Sequence, residues 1–288
     1  MVREVRDLGA HPEFCSINTA TLGFQAPIGD VIDAVARAGF GGIAPWRREV
    51  EGGDAAAVSQ RIRDAGLEVS GYCRSTYIPA ATVDGFKAHV EANRRAISDA
   101  AVLGANCFVM VVGSLPAGSK DMGAARAQVM DACALLMQHG RNENVKIALE
   151  PLHPVYAADR SCLSLLSQAL DICDAIEGET DAPWLGALVD VYHLWWDPNL
   201  KRDIARAGVA GRIFGFHACD WLVPTNDVLN DRGMMGDGVI DVPMIRGLVE
   251  DAGYLGPVEV EIFSSNNWWK RPMDETLQVC RERLATAT

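Results

Sequence analysis

What this 288-residue chain lacks narrows it first. Its eight cysteines, at 15, 73, 107, 133, 162, 173, 219 and 280, form no C-x-x-C pair and sit in apolar segments. That pattern speaks against a zinc ribbon or a disulfide framework and fits buried thiols in a reducing compartment. No run of about 18 apolar residues occurs, and the charged start MVREVRDLGAHPEF has no apolar core for a signal peptide, so a cytoplasmic protein with no membrane partner is expected. Basic residues are outnumbered, 26 Lys and Arg against 38 Asp and Glu, and the net charge of -12 opposes a nucleic-acid footprint. Low-complexity tracts and linkers are missing too, so residues 1–288 are expected to form one domain.

What the chain does have is an alternation of short apolar runs with longer helical stretches. The runs are FCSIN (14–18), GGIAPW (41–46), EVSGYC (68–73), NCFVMVVG (106–113), VKIALE (145–150), LGALVDV (185–191), RIFGFHA (212–218) and PVEVEIF (257–263). Several helices are predicted to end in Gly just before the next strand, in RAGF, DAGL, VLGA, QHG and DAGY, which is C-cap chemistry. Eight such units imply parallel strands with right-handed crossovers that close as a (β/α)8 TIM barrel. A doubly wound sheet is the weaker alternative, because FCSINTATLG carries no Gly-rich phosphate loop.

Chemistry in such a barrel sits at the C-terminal strand ends. The first four ends offer Asn18, Trp46 and Arg74 and little else that ionises, whereas the last four carry Glu150, Asp190, His217 and Glu261. A single carboxylate at a strand end is as readily a cap or an ion-pair partner. Three carboxylates and an imidazole on consecutive strands repel one another unless a cation neutralises them, and their O and N atoms suit Mn, Mg, Co or Zn. Glu259 shares the face of Glu261 one layer deeper, which makes it the weaker ligand candidate.

With these residues identified, ALEP around Glu150, VDVYH with Asp190 and His193, FHACD around His217, DRGMMGDG with Arg232, and GYLGPVEVEIF resemble the sugar isomerase and epimerase family of xylose-isomerase-like barrels. The resemblance covers nearly the whole chain and is strongest from 145 to 263. Similar proteins include ketose 3-epimerases, inosose dehydratase, hydroxypyruvate isomerase and, more distantly, apurinic-site endonucleases. The resemblance implies one divalent metal ion, Mn2+ first and otherwise Mg2+, Co2+ or Zn2+, held by Glu150, Asp190, His217 and Glu261. It also implies Glu150 and Glu261 as catalytic acid and base, His193 and Arg232 on the substrate oxygens, a small-molecule sugar or keto-sugar as substrate, and a homo-oligomer, dimer or tetramer. The chemistry is coherent: a cation on a carbonyl and its neighbouring hydroxyl acidifies the adjacent C-H and stabilises an enediolate, while one glutamate removes the proton and the other returns it.

Three departures from the family pattern stand out. Tyr156 occupies the position of a glutamate that binds the ketose end in the epimerases, which argues against a free ketohexose 3-epimerase. His153 replaces an asparagine, and is either an additional substrate-binding acid or base or a histidine hydrogen-bonded within its loop. The segment DWLVPTNDVLND (220–231) lengthens the loop before Arg232 and reads as a lid, a partner contact or an inert excursion. The endonuclease branch fails on the same residues, since Gly233, GYCRS and VVGSL stand where further metal-binding histidines are needed.

Among the tryptophans, Trp46 is the first candidate to stack on a sugar ring, with Trp195, Trp196, Trp221, Trp268 and Trp269 divided between wall and packing. Lys120 in AGSKD reads as a solvated loop lysine. Three functions fit this reading. The first is a metal-dependent isomerase or epimerase; the second is a lyase or dehydratase acting by β-elimination, with His153 protonating the leaving group; the third is a metal-binding subunit without turnover.

Overall fold

The computed structural model describes residues 5–288. Its parallel strands are β1 (Cys15–Asn18), β2 (Gly42–Ala44), β3 (Glu68–Val69), β4 (Tyr72–Cys73), β5 (Cys107–Met110), β6 (Lys146–Leu149), β7 (Leu185–Asp190) and β8 (Ile213–Ala218). After β8 come a short antiparallel ribbon of β9 (Asp220–Trp221) and β10 (Arg232–Gly233), and then β11 (Val258–Val260). The main sheet runs β3-β2-β1-β11-β8-β7-β6-β5-β4. Strands β3 and β4 are halves of the single run predicted over 68–73, parted at Ser70 and Gly71, and they pair in parallel with β2 and β5 respectively. Backbone bonds from Ser70 N to Ile43 O (3.1 Å) and from Asn106 N to Val69 O (3.0 Å) carry the pairing across that break. The eight predicted units are therefore present, and the fold is a (β/α)8 barrel of the TIM type.

The helices begin and end for local reasons. Asp54, Thr82, Asp121 and Asp241 each accept a hydrogen bond from the backbone N-H three residues on, satisfying donors that the first turn leaves orphaned. Gly39, Gly66, Gly104 and Gly253 take positive φ just past helix ends, as the RAGF, DAGL, VLGA and DAGY patterns predict. QHG departs from the prediction. The helix Met122–Glu143 runs through Gly140 and ends at Asn144, which takes the left-handed conformation with φ 59°. Gly140 is needed for space instead: a Cβ there would lie 2.6 Å from the carbonyl oxygen of Val145.

Ile17, Ile43, Phe108, Ile147, Val189 and Phe216 fill the core. At the N-terminal end of the barrel the buried Arg212 donates to Glu177 Oε2 and to Gly178 O, both at 2.7 Å, an ion pair remote from the strand ends where chemistry sits. Among the described residues no helix is long and apolar enough to cross a membrane.

Candidate active site

The four predicted ligands meet at one point above the barrel. Asp190 closes β7, His217 lies in β8, and Glu150 and Glu261 each stand one residue past the ends of β6 and β11. One ligand atom from each lies within 4.8 Å of all the others. His217 Nδ1 is 3.8 Å from Glu150 Oε1, 3.9 Å from Asp190 Oδ2 and 3.6 Å from Glu261 Oε2, and it has no hydrogen-bond partner although it is buried. A buried imidazole nitrogen facing three carboxylate oxygens is a donor set that fits a divalent cation. The electrostatics agree. Burial first, and then the charge of Glu261, push the Glu150 carboxyl well above its ordinary range. Burial would do the same to Asp190 and Glu261, but at Asp190 the neighbouring His193, His217 and Arg232 outweigh it, and at Glu261 His217 and Arg232, so both are lowered.

Behind the imidazole, His217 Nε2 lies 3.0 Å from Glu259 Oε1. Glu259 is therefore placed to orient the ring from its far side. Its own oxygens accept from Asn18 Nδ2 at 2.8 Å and Ser70 Oγ at 2.6 Å, and Asn18 Oδ1 accepts from Trp46 Nε1 at 2.6 Å. This chain of contacts holds the His217 ring in place, as the supporting shell of a metal-binding histidine would. Cys73 lies near enough to His217 and Glu259 to form a second cluster, but burial, followed by the Glu259 charge, holds its thiol well above the usual range, and a protonated thiol is a poor ligand. Glu259→Gln should weaken Mn2+ binding by about 10- to 100-fold with little change in fold, measured by calorimetric titration.

Arg232 reaches into the cluster from β10, with Nη1 3.0 Å from Glu261 Oε2 and 3.4 Å from Asp190 Oδ2, its guanidinium between the rings of Tyr192 and Phe263. His193 follows β7 in a one-turn helix that Asp190 Oδ1 caps by accepting from Tyr192 N at 2.7 Å. Burial pushes the His193 pKa down to about 3, so it is neutral at pH 7; its Nδ1 accepts from His153 N at 3.2 Å and its Nε2 lies 3.3 Å from Arg232 Nη2. The His153 ring packs against Trp196 and Trp221, and its Nδ1 accepts from Val155 N. The structure thus brings Trp46, Glu150, His193, Arg232 and Glu261 to the lining of one cavity, and leaves the His153 ring outside that lining. Trp196 donates to His193 O and Trp195 packs against Trp221, so this pair backs the site without lining it.

The segment 220–231 is stitched down more firmly than its composition suggested. The Asp220 carboxylate accepts from the backbone N-H of Trp221, Gly236, Gly238 and Ile240. Tyr156 and Tyr192 both donate their hydroxyls to the carbonyl of Val228, each at 2.7 Å, and the next residue, Leu229, lines the cavity. Tyr156, the position that departs from the epimerase pattern, is thus a loop anchor. The space left beneath is about 20 Å³, room for about one water molecule, so a sugar enters only as this covering shifts. In a Tyr156→Phe, Tyr192→Phe double variant, limited proteolysis mapped by mass spectrometry should show cleavage within 222–231 about 30-fold faster, at about 1 kcal/mol for each hydrogen bond lost. Unchanged cleavage would mean that the two hydroxyls do not restrain the loop.

A parallel barrel with Glu, Asp, His and Glu at four consecutive strand ends defines a class, the xylose isomerase-like TIM barrels, and the chain belongs to that family, whose model matches residues 32–283. Among solved structures, a protein from Sinorhizobium meliloti is 47% identical and superposes with a TM-score of 0.92, covering 96% of this chain and 99% of that one. Two more distant structures share the fold. One is the IolI protein with a bound zinc atom, at 16% identity and a TM-score of 0.78, covering 94% of this chain and 97% of that one. The other is 3-keto-D-glucoside 4-epimerase, YcjR, from E. coli, at 18% identity and a TM-score of 0.74, again covering 94% and 97%. No curated protein matches the chain.

Proposed function

We propose that the protein is a divalent-metal-dependent isomerase or epimerase that moves a proton on a sugar or keto-sugar. The observation that carries this reading is a division within the cluster: Glu150 and Glu261 line the cavity, whereas Asp190 and His217 do not and are 0% and 1% exposed beneath it. Two ligands are sealed, and two carboxylates face the place where a substrate carbon would lie. A cation bound there would polarise the substrate carbonyl and acidify the adjacent C-H. Glu150 and Glu261, on β6 and β11, then approach from different sides, one accepting the proton and the other supplying it. Neutral His193 and cationic Arg232 hold the substrate oxygens, and Trp46 walls the cavity, with its ring edge-on to Phe24 and Phe263.

Elimination needs a further proton donor for the leaving group. The candidate for it, His153, has its ring packed against two tryptophans and lies outside the cavity lining, which supports proton return over expulsion. The fold is shared with a 3-keto-D-glucoside 4-epimerase, whose chemistry is in keeping with this reading. Incubating the Mn2+-loaded protein with keto-sugars in D2O should give solvent deuterium in recovered substrate and in its isomer, read by NMR. An unsaturated product instead would establish a lyase, and no exchange with any keto-sugar would end the proton-transfer reading.

A further inference from the structure

Two arginines in the lining of the same cavity have no role in the proton transfer. Arg74 follows β4, and Arg160 lies in the loop after β6, so they flank the end of β5, whose own nearby contribution is the apolar Val111. Arg232, the third guanidinium of the lining, is committed to Glu261 and Asp190. Among the described residues neither Arg74 nor Arg160 forms an ion pair with a carboxylate. Arg74 lies over the ring of Tyr77, 4.7 Å from its centre, with one long bond from Nη1 to Ser75 O at 3.4 Å. Arg160 lies over the ring of Tyr156 at 5.3 Å, and its buried Nε has no partner.

The chain carries 38 acidic residues against 26 basic ones, and arginines elsewhere, such as Arg61, Arg206 and Arg283, find carboxylates even on the surface. Among the described residues other arginines, such as Arg48 over the ring of Phe24 and Arg126 on the carbonyl of Cys162, also have no carboxylate partner, so what sets Arg74 and Arg160 apart is that they stand so in the lining of this cavity. Stacking on tyrosine fixes the plane of a guanidinium while leaving its N-H edge free, the state that grips a carboxylate or phosphate in bidentate fashion. In barrel order the third strand (β3 and β4) lies opposite β8, and β5 lies opposite β11. The guanidiniums thus enter from the side across from His217 and Glu261, while Glu150 stands at the end of the strand that leads to Arg160.

We infer that Arg74 and Arg160 form an anion subsite, so that the substrate is a sugar or keto-sugar carrying a carboxylate or phosphate at the end remote from Glu261. The sugar in this inference rests on the function proposed above; the anion rests on the arginines alone.

Calorimetric titration of the Mn2+-loaded protein with D-gluconate, glucose 6-phosphate and uncharged sorbitol tests the subsite without turnover. At least one of the two anions should bind about tenfold or more tightly than sorbitol, with the advantage shrinking as salt rises from 0.05 to 0.5 M. Whichever anion gains more distinguishes carboxylate from phosphate. The advantage should disappear in an Arg74→Gln, Arg160→Gln double variant and persist in part in the Lys, Lys counterpart, which keeps the charge without the fork. Both residues are half-buried, and an unchanged melting temperature verifies the fold. Equal affinity for all three probes would overturn the subsite. So would an advantage that survives the double Gln variant, because the anion would then be binding the metal directly. The D2O experiment separates the two failures: exchange that is blind to both arginines removes the subsite and leaves the reaction, whereas arginine-dependent binding without any exchange removes the reaction and leaves the subsite.

Discussion

Glu150→Gln should lower kcat by about 10³-fold, within the range a positioned acid or base supplies. The substitution is nearly isosteric. The backbone N of Glu150, which donates to Met110 O at 3.0 Å, is untouched, so what changes is the charge and the capacity to take up a proton. Because the side chain is also a ligand, turnover is to be measured at saturating Mn2+ with metal content determined on the same sample. A full metal complement with kcat lost isolates the proton-transfer role, and retained turnover would sink it. Stability supplies a second sign. In the metal-free protein burial and Glu261 disfavour ionised Glu150, so its folded-state pKa stands above the unfolded one and ionisation works against folding as pH rises through that window. The Gln variant is therefore expected to melt no lower than the wild type when both are metal-free at neutral pH, by scanning calorimetry.

Metal should have the second large effect. Three carboxylates and one imidazole are held within 4.8 Å in a buried site, and a ligand that binds only the folded chain stabilises it by mass action. At a thousandfold excess over Kd the gain is about 4 kcal/mol, which at about 2 °C per kcal/mol for a chain of this size raises Tm by about 8 °C. EDTA should reverse the shift, and His217→Ala should abolish it. A melting temperature indifferent to Mn2+, Mg2+, Co2+ and Zn2+ alike would remove the metal from the account.

The barrel and its four-residue cluster were legible because buried parallel strands read as nearly unbroken apolar runs, against which Glu150, Asp190, His217 and Glu261 stand out. The supporting shell was not. Glu259 depends on Asn18 and Ser70, which the chain brings to it from 241 and 189 residues away, and no periodicity reports such a contact. Gly140 misled for a related reason: a glycine near a helix end reads as a cap, and only the approach of the Val145 carbonyl shows that it makes room. Tyr156 was visible as a departure from a pattern, but its partner, a backbone oxygen 72 residues on, leaves no mark in composition.

That oxygen has a further consequence. The Val228 carbonyl accepts two tyrosine hydroxyls at once, so both bonds are made or lost together as the segment lifts. At about 1 kcal/mol each, these two bonds alone lower the lifted population about 30-fold, and a substrate admitted only by that form binds weaker by the same factor than its contacts would give. Entry and exit then become events with their own rate, so the release of one carbonyl is expected to set a ceiling on turnover if the protein acts as proposed.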